Sequence, residues 1–409
     1  MDELDRLVRE HERWRTTETI NLQPSENVLS PQARALLGSD LAGRYSLPSL
    51  MAPSLGDVGN SYRGTRYLDA IEKRAEALAR EVFLVPKASL KPLSGHLAGF
   101  LLLQACCQRG DLVLVVSAEN GGYDGYMPGF LPDYLGLRVA FLPFDESRWN
   151  IDARVAADMI LEMHPRLVLV GGSLMLFPYE LRSLRGACDD VGAVLGYDAS
   201  HVLGLIAGGA FQRPMAEGAD ILSASTHKSF PGPQGGLLLS NRTDLFARAL
   251  KMLAWRIQDN AHWHRIAATA QVLREMQTFG ARYATQVIAN TKMLGHQLDE
   301  WHFPLRCKAL GFSASHQLLI DRDSLRDRWG LTVRDFADRL ERNNLIVDTV
   351  GRLGTNEATR MGAREEHMQT LAGLLVRAAN NEDVRAEVAA LRGELRLSYV
   401  FDEPSSPGP

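Results

Sequence analysis

Between residues 70 and 240, short apolar runs alternate with longer segments of helical periodicity. Six of these runs have the length and composition of buried strands: 112–116, 139–144, 166–173, 193–198, 221–225 and 235–240. Helical segments at 96–107, 153–163 and 179–191 separate several of them, and an amphipathic helix is predicted at 69–83. This alternation is typical of βαβ units and predicts a mostly parallel central sheet.

The pattern changes after this region. Residues 255–300 form one long helical stretch, and a smaller α+β unit follows, with predicted strands at 315–321 and 345–350 and helices near 332–343, 365–379 and 382–394. We therefore predict five parts: an N-terminal arm (1–65), a large α/β domain (66–255), a linking helical region (256–300), a small C-terminal α+β domain (301–400) and a disordered tail (401–409).

Composition excludes several classes of function. The net charge of -4 and the pI near 6.3 give no electrostatic reason to expect nucleic acid or an anionic membrane as partner. The four cysteines have no metal-binding or disulfide-framework spacing, so we expect a reducing, cytoplasmic location and no metal. The charged N-terminus is not a secretory signal, and no apolar run is long enough to cross a membrane.

One lysine lies where a reactive amine would be useful. The chain has only seven lysines, and Lys228 stands in the small-residue run SASTHKSFPGPQGG at 223–236, just after a predicted strand. Ligands of open α/β folds bind at the carboxyl ends of parallel strands. An amine at this place could form a Schiff base with an aldehyde, and the commonest aldehyde cofactor is pyridoxal phosphate (PLP).

PLP requires further partners, and the sequence offers candidates for each. Asp198 ends the preceding strand, where its carboxylate could keep the pyridine nitrogen protonated, and His201 could lie beside the ring. The alternative role of Asp198 is to cap the next segment. Candidate phosphate donors are Ser94, Gly95 and His96, at a turn that opens a helix, and Ser225, Thr226 and His227, before the lysine. The first group also fits an ordinary helix cap.

A cation for the substrate carboxylate is available in the C-terminal part. Arg352 begins the stretch RLGT at 352–355, and arginine binds carboxylates in bidentate fashion. Taken alone, a surface arginine is the better interpretation of this residue.

Several blocks, in one order, resemble the serine hydroxymethyltransferase family: INLQPSEN (20–27), RYLDAIEKRAEALAREVF (66–83), YDASHVLGLIAGG (197–209), STHKSFPGPQGG (225–236) and RLGT (352–355). The resemblance covers nearly the whole chain. It implies an α/β protein of PLP fold type I, like aspartate aminotransferase, with a mostly parallel sheet in the large domain and a smaller C-terminal α+β domain.

The resemblance also implies roles for single residues. Lys228 would be the Schiff-base lysine, Asp198 the pyridine partner and His201 a neighbour of the ring oxygen. Arg352, with Ser25, would bind the substrate carboxylate. Tyr45 and Tyr62 would be catalytic and substrate-binding residues at sites shared across the interface of a homodimer.

The departures from the family pattern concentrate around the substrate. Leu47 stands where the family has a glutamate that manages protons in folate-dependent transfer, and the segment 46–60 is longer than the family pattern. Asp57 could replace that acid if the inserted loop folds back. Asn120 takes the position of the histidine that stacks on PLP, so either Asn120 or Tyr123 would cover the ring.

Two further departures are His96 at a phosphate-turn serine and Gln234 at an arginine. These differences predict a folate-independent PLP enzyme of specialised, antibiotic-type metabolism that acts at Cα or Cβ of an amino acid or conjugate. An example is β-elimination or decarboxylation-coupled deamination of a cysteine conjugate, as in lincosamide pathways. The alternatives are a serine hydroxymethyltransferase, threonine aldolase or threonine transaldolase, and a non-catalytic PLP-binding homologue.

Overall fold

A computed structural model of the chain describes residues 2–47, 60–253 and 256–401. These residues form two compact units. The large unit comprises 29–281 and the chain from 401 onwards, and the small unit comprises the N-terminal 28 residues and 282–400. Residues 48–59, which include Asp57, lie outside the described part, as does the 402–409 portion of the predicted tail.

The strands, numbered along the chain, are β1 Ile20–Asn21, β2 Lys87–Ser89, β3 Leu112–Val115, β4 Arg138–Phe141, β5 Phe144–Asp145, β6 Asn150–Ile151, β7 Leu167–Gly171, β8 Val194–Asp198, β9 Ile221–Ser225, β10 Gly236–Ser240, β11 Gln317–Leu319, β12 Leu345–Ile346 and β13 Arg352–Gly354. The helices are α1 Glu3–Arg13, α2 Pro31–Leu37, α3 Arg66–Phe83, α4 Gly95–Cys106, α5 Leu131–Leu135, α6 Ala153–Met163, α7 Leu181–Val191, α8 Leu203–Ala207, α9 Thr243–Leu253, α10 Trp263–Glu300, α11 Arg322–Trp329, α12 Val333–Arg342, α13 Asn356–Arg360, α14 Glu365–Ala379 and α15 Arg385–Glu394.

The large unit is built on a seven-stranded sheet with the order β2-β10-β9-β8-β7-β3-β4. Neighbouring strands from β9 to β4 pair in parallel, whereas β10 is antiparallel to both β9 and β2. The mostly parallel sheet is therefore confirmed, and each of the six predicted runs overlaps one of its strands. The sequence pattern missed β2, which has three residues and no apolar run of its own.

Burial explains why these strands read as continuous apolar segments. Every residue of β3, β7, β8, β9 and β10 is buried, as expected for a sheet covered on both faces. Helix α4 packs against β9 and β10 on one face, and eight of its residues are buried. This packing places the N-terminus of α4 close to the ends of the central strands.

The small unit contains two short two-stranded sheets, a parallel pair β1-β12 and an antiparallel pair β11-β13. Its core includes apolar side chains from α12, α14 and α15, among them Phe336, Leu375 and Val388. The predicted strand 345–350 is shorter than expected. Asp348 Oδ1 accepts the backbone N–H groups of Val350, Gly351 and Arg352 at 2.9, 3.0 and 3.1 Å, so the chain turns instead of continuing as a strand.

The long helical stretch is also shorter than predicted, because α10 begins at Trp263 and not at 255. Phe401 packs its ring 5.2 Å from that of Phe279, within the large unit. Among the described residues, none of the helices combines the length and apolar character that a membrane span requires.

Candidate active site

The carboxyl ends of β8 and β9 border a cavity in the large unit. The two strands pair in parallel with Asp198 opposite Ser223, so the segments that follow them leave the sheet at the same edge. A partly open cavity lies there, with about 300 Å³ of space when its mouth is included, lined by Gly95, His96, Tyr123, Gly172, Ser173, Asp198, Ser200, His201, Ser225 and Lys228. Seven of these ten are residues that the sequence singled out.

Asp198 is held rigidly at the floor of this cavity, with only 4% of its surface exposed. Its Oδ1 accepts the backbone N–H of Ser200 at 2.9 Å, and its Oδ2 accepts the hydroxyl of Tyr126 at 2.8 Å. The alternative that Asp198 merely caps the next segment accounts for the first bond only. The carboxylate also borders the cavity, where a cationic ligand group would meet it.

Lys228 is presented by a loop that is closed by its own hydrogen bonds. Thr226 N–H donates to the Gly235 carbonyl at 3.1 Å, and the Gly232 N–H donates to the Thr226 carbonyl at 2.9 Å. The Thr226 hydroxyl donates to the Pro233 carbonyl at 2.6 Å. The loop therefore has a fixed path between β9 and β10. Lys228, near the start of this loop, is half-buried and lines the cavity.

The N-terminus of α4 forms another wall. Ser94 caps this helix, since its Oγ accepts the Leu97 N–H at 3.1 Å. Gly95 lies so close to β9 that a Cβ atom there would be 2.1 Å from Ser225 Oγ. Because the first turn of a helix has amides without intrahelical acceptors, Gly95 and His96 provide an anion-binding end. Ser94 serves as a cap and is not among the lining residues.

His96 and Tyr123 are paired across the cavity wall. His96 Nδ1 lies 2.9 Å from the Tyr123 hydroxyl. Burial, with a smaller contribution from the charge of Asp198, raises the pKa of Tyr123. Of the two residues expected over the ring, Tyr123 borders the cavity, whereas Asn120 ends a short 3-10 helix and is not among the lining residues.

The chemistry of this cavity fits PLP. Lys228 offers an amine to an aldehyde, Asp198 offers a carboxylate to a protonated pyridine, and the N-terminus of α4 offers amide donors to a phosphate. The missing side chain at Gly95 leaves the phosphate end open, since the Cβ of any other residue would collide with Ser225. His227 is half-buried and is not among the residues that line the cavity.

Tyr45 and Tyr62 lie together, but not on this cavity. Their rings are 4.8 Å apart in an edge-on arrangement, and 37% and 46% of their surfaces are exposed. The Tyr45 hydroxyl donates to Asp259, and this hydrogen bond is the main reason that its pKa rises to about 12. The pair is thus a surface feature of the large unit.

The small unit brings the segments of Ser25 and Arg352 together. The Gly354 N–H donates to the Leu22 carbonyl at 2.6 Å, and a Cβ at Gly354 would be 2.6 Å from Pro24 Cα. Ser25 is half-buried, and Arg352 is buried with its Nε 2.7 Å from Asp348 Oδ2. The two residues proposed for the substrate carboxylate therefore belong to adjacent segments.

The positions that depart from the family pattern have distinct environments. Leu47 is 3% exposed and packs in a cluster with Leu101 and Leu253, so this position is part of an apolar core. Gln234 is exposed.

Sequence reasoning missed five residues that the geometry brings to these sites. They are Gly172, Ser173 and Ser200 on the cavity, Tyr126 behind Asp198, and Asp348 beside Arg352. A signal existed for both serines, because Ser173 ends the predicted strand 166–173 and Ser200 closely follows the predicted strand 193–198, at the carboxyl edge of the sheet.

Comparison with known proteins agrees with this geometry. The family model described as serine hydroxymethyltransferase matches residues 2–375. The serine hydroxymethyltransferase of Methanocella arvoryzae is 37% identical over 400 residues, which cover 92% of this chain and 91% of that protein. That of Sulfolobus acidocaldarius is 35% identical over 418 residues, 98% of this chain and 94% of the relative.

The fold is likewise shared with a solved structure. The crystal structure of the L-threonine transaldolase from Pseudomonas fluorescens superimposes with a TM-score of 0.86 over 98% of this chain and 93% of that one, at 23% identity. The match of the family model over most of the chain and the identity to whole-length relatives lead to one conclusion. The chain belongs to the serine hydroxymethyltransferase family and is a PLP-dependent enzyme of fold type I.

Proposed function

We propose that this protein is a folate-independent PLP enzyme that acts at Cα or Cβ of an amino acid or of an amino-acid conjugate. The observation that carries the proposal is that Lys228 and Asp198 line the same small cavity at the ends of adjacent strands. An amine and a buried carboxylate placed in this way are what an aldehyde-bearing pyridine requires.

When bound, PLP supplies an electron sink for a carbanion at the substrate Cα. Asp198 would keep the ring nitrogen protonated, and the amides at Gly95 and His96 would bind the phosphate. Lys228 Nζ would hold the cofactor aldehyde and take or return a proton at the substrate Cα. Arg352 and Ser25 would bind the substrate carboxylate and so orient the bond to be broken.

The environment of Leu47 supports independence from folate. A glutamate at this position would replace a side chain that packs on Leu101 and Leu253, and a charged group is costly in such an apolar cluster. A carboxylate with the role of the family glutamate is therefore not expected here.

The His96–Tyr123 pair supports an altered substrate pocket, since it borders the cavity beside Lys228. We propose a cysteine conjugate of antibiotic-type metabolism as the substrate class, processed by β-elimination or by decarboxylation-coupled deamination. Serine hydroxymethyl transfer, threonine aldol cleavage and threonine transaldol transfer are the competing reactions, the last because the similar solved structure is a threonine transaldolase. A non-catalytic PLP-binding homologue is the remaining alternative.

The first experiment tests the covalent attachment of PLP to Lys228. Protein purified with PLP is reduced with borohydride, and we expect a pyridoxyl mass on the peptide that contains Lys228. Lys228→Ala should abolish this label and the absorbance near 420 nm, while the exposed Lys251→Ala serves as the matched control. An unlabelled Lys228 peptide in the wild-type protein would refute the proposal.

The reaction is then identified by offering amino acids and cysteine conjugates and determining the products by mass. Release of a keto acid or a thiol from a cysteine conjugate supports the proposed class. Strong tetrahydrofolate-dependent conversion of serine to glycine would instead favour the hydroxymethyltransferase. An amino-acid panel that leaves the spectrum unchanged would favour the non-catalytic homologue.

We also propose a cytoplasmic homodimer whose two active sites each use residues from both subunits. All four cysteines are free thiols, which agrees with a reducing compartment. Tyr45 and Tyr62 are exposed next to each other, as expected of side chains that complete a site in a second copy. Sedimentation equilibrium of the purified protein would establish the number of subunits.

A further inference from the structure

Tyr126 lies directly behind the carboxylate of Asp198. It ends the short 3-10 helix Asp124–Tyr126 and is only 2% exposed. Its hydroxyl donates to Asp198 Oδ2 at 2.8 Å, and Tyr126 is not among the residues that line the cavity. A buried hydroxyl bonded to a charged acceptor is among the stronger hydrogen bonds of a protein.

The packing around Tyr126 is arranged for this contact. A Cβ atom at Gly99 of α4 would be 2.3 Å from the Tyr126 hydroxyl oxygen and 3.1 Å from the ring carbon that bears it. No other residue type at Gly99 would leave the hydroxyl where it is. The helix that presents Gly95 to the cavity thus also makes room for Tyr126 at Gly99, four residues further along the helix.

The two hydrogen bonds to Asp198 fix the plane of its carboxyl group. Ser200 N–H binds Oδ1 and the Tyr126 hydroxyl binds Oδ2, so each oxygen has one protein donor. Each carboxylate oxygen can accept a second hydrogen bond. The second acceptor position of one oxygen can therefore serve a ligand in the cavity without any change in the protein contacts.

We propose that Tyr126 is a positioning residue that orients Asp198 toward the ring nitrogen of the cofactor and disperses part of its negative charge. The inference rests on the proposed function, because it assumes that the pyridine nitrogen meets Asp198. It adds a residue that tunes the electronic properties of the cofactor without touching it.

The ionisation of Tyr126 is compatible with this role. Burial, followed by the nearby charge of Asp198, raises the pKa of Tyr126 well above its usual value. The phenol stays protonated throughout the physiological range, and as a hydroxyl it can donate to the carboxylate at every working pH.

Tyr126→Phe tests the proposal, because it removes the donor and retains the ring. We expect the dissociation constant of PLP to rise about tenfold, the size of one lost hydrogen bond to a charged group. We also expect a changed visible circular dichroism band of the bound cofactor. Tyr197→Phe is the matched control, since Tyr197 is buried next to Asp198 but donates to Gln212 at 2.9 Å.

The Asp198→Asn background separates positioning from general packing. If Tyr126 acts through Asp198, Tyr126→Phe should change PLP binding less than twofold in that background. The inference is overturned if Tyr126→Phe leaves affinity and dichroism unchanged while Asp198→Asn weakens PLP binding. If Asp198→Asn itself has no effect, the proposed placement of the cofactor fails as well. Should Tyr126→Phe not fold, 3-fluorotyrosine at this position keeps the hydroxyl but makes it more acidic and hence a stronger donor to Asp198, and we then expect a shifted dichroism band of the bound cofactor; an unchanged band would overturn the inference.

Discussion

Arg352 Nε donates to Asp348 Oδ2 at 2.7 Å, and both side chains are nearly buried. The same aspartate accepts three backbone N–H groups of the turn that leads into Arg352. One carboxylate therefore fixes both the backbone and the guanidinium of the arginine. The carboxylate of a bound amino acid would therefore meet a guanidinium group whose orientation is already fixed.

We expect Arg352→Lys to raise the dissociation constant of the amino-acid substrate at least about tenfold, because lysine cannot form two parallel hydrogen bonds to a carboxylate. PLP binding should not change. Spectral titration of the PLP-loaded protein with amino acid measures both quantities. Arg306→Lys is the control, since Arg306 pairs with Asp321 by the same nitrogen at 3.2 Å in the same unit. Equal effects of the two variants would contradict the assignment.

The parts of the site that sequence could predict are those that lie at strand ends. Lys228 and Asp198 follow buried apolar runs, and the carboxyl edge of a parallel sheet brings such residues together. Tyr126 could not be found in this way. It is 72 positions from Asp198 along the chain, and its contact depends on Gly99 and on the packing of α4.

The role of Asp348 could not be predicted from the sequence for a different reason. It lies in the apolar stretch LIVDTV, which predicts a strand, but its side chain bonds to the following backbone and ends the strand after Ile346. Local side-chain hydrogen bonds of this kind compete with sheet pairing and are not visible in a hydrophobic pattern.

Tyr123→Phe should separate cofactor binding from substrate chemistry. The variant loses the hydroxyl that lies 2.9 Å from His96 but keeps the ring on the cavity wall. We expect PLP affinity within about twofold of wild type and kcat/KM for the best substrate lowered roughly tenfold, as for the loss of one polar contact in the reacting complex. Tyr134→Phe, at a tyrosine that is 79% exposed, should have no effect. A loss of PLP binding with unchanged turnover would show that Tyr123 serves the cofactor alone.

Glu357 should make the stability of the protein depend on pH. Burial raises its pKa from 4.5 to about 7, although Asn21 donates to its Oε2 at 2.7 Å and Arg15 lies nearby. Because the folded state holds this proton more tightly than the unfolded state, stability falls as pH rises from 4.5 to 7 and stays low above that. The full loss is up to about 3 kcal/mol.

Glu357→Gln removes this titration and keeps an acceptor for Asn21. The other charges around the site, Glu26 and Arg392, are unchanged. Urea unfolding should show the variant to be more stable than wild type at pH 8 by up to about 3 kcal/mol, with the difference vanishing below about pH 4. Glu341 is exposed, so Glu341→Gln should leave the stability unchanged at both pH values. A difference that does not change with pH would contradict this prediction.

Mixing two inactive variants would test whether subunits share active sites. Lys228→Ala removes the amine of a site in its own subunit, and Tyr45→Phe removes the hydroxyl that donates to Asp259 and is proposed to complete the partner's site. In a mixed dimer with shared sites, one site carries both lesions and the other carries none. Random reassembly of equal amounts should therefore restore about a quarter of wild-type activity. If Tyr45 serves its own subunit, every site retains one lesion and the mixture stays inactive. Each variant dissociated and reassembled alone provides the baseline.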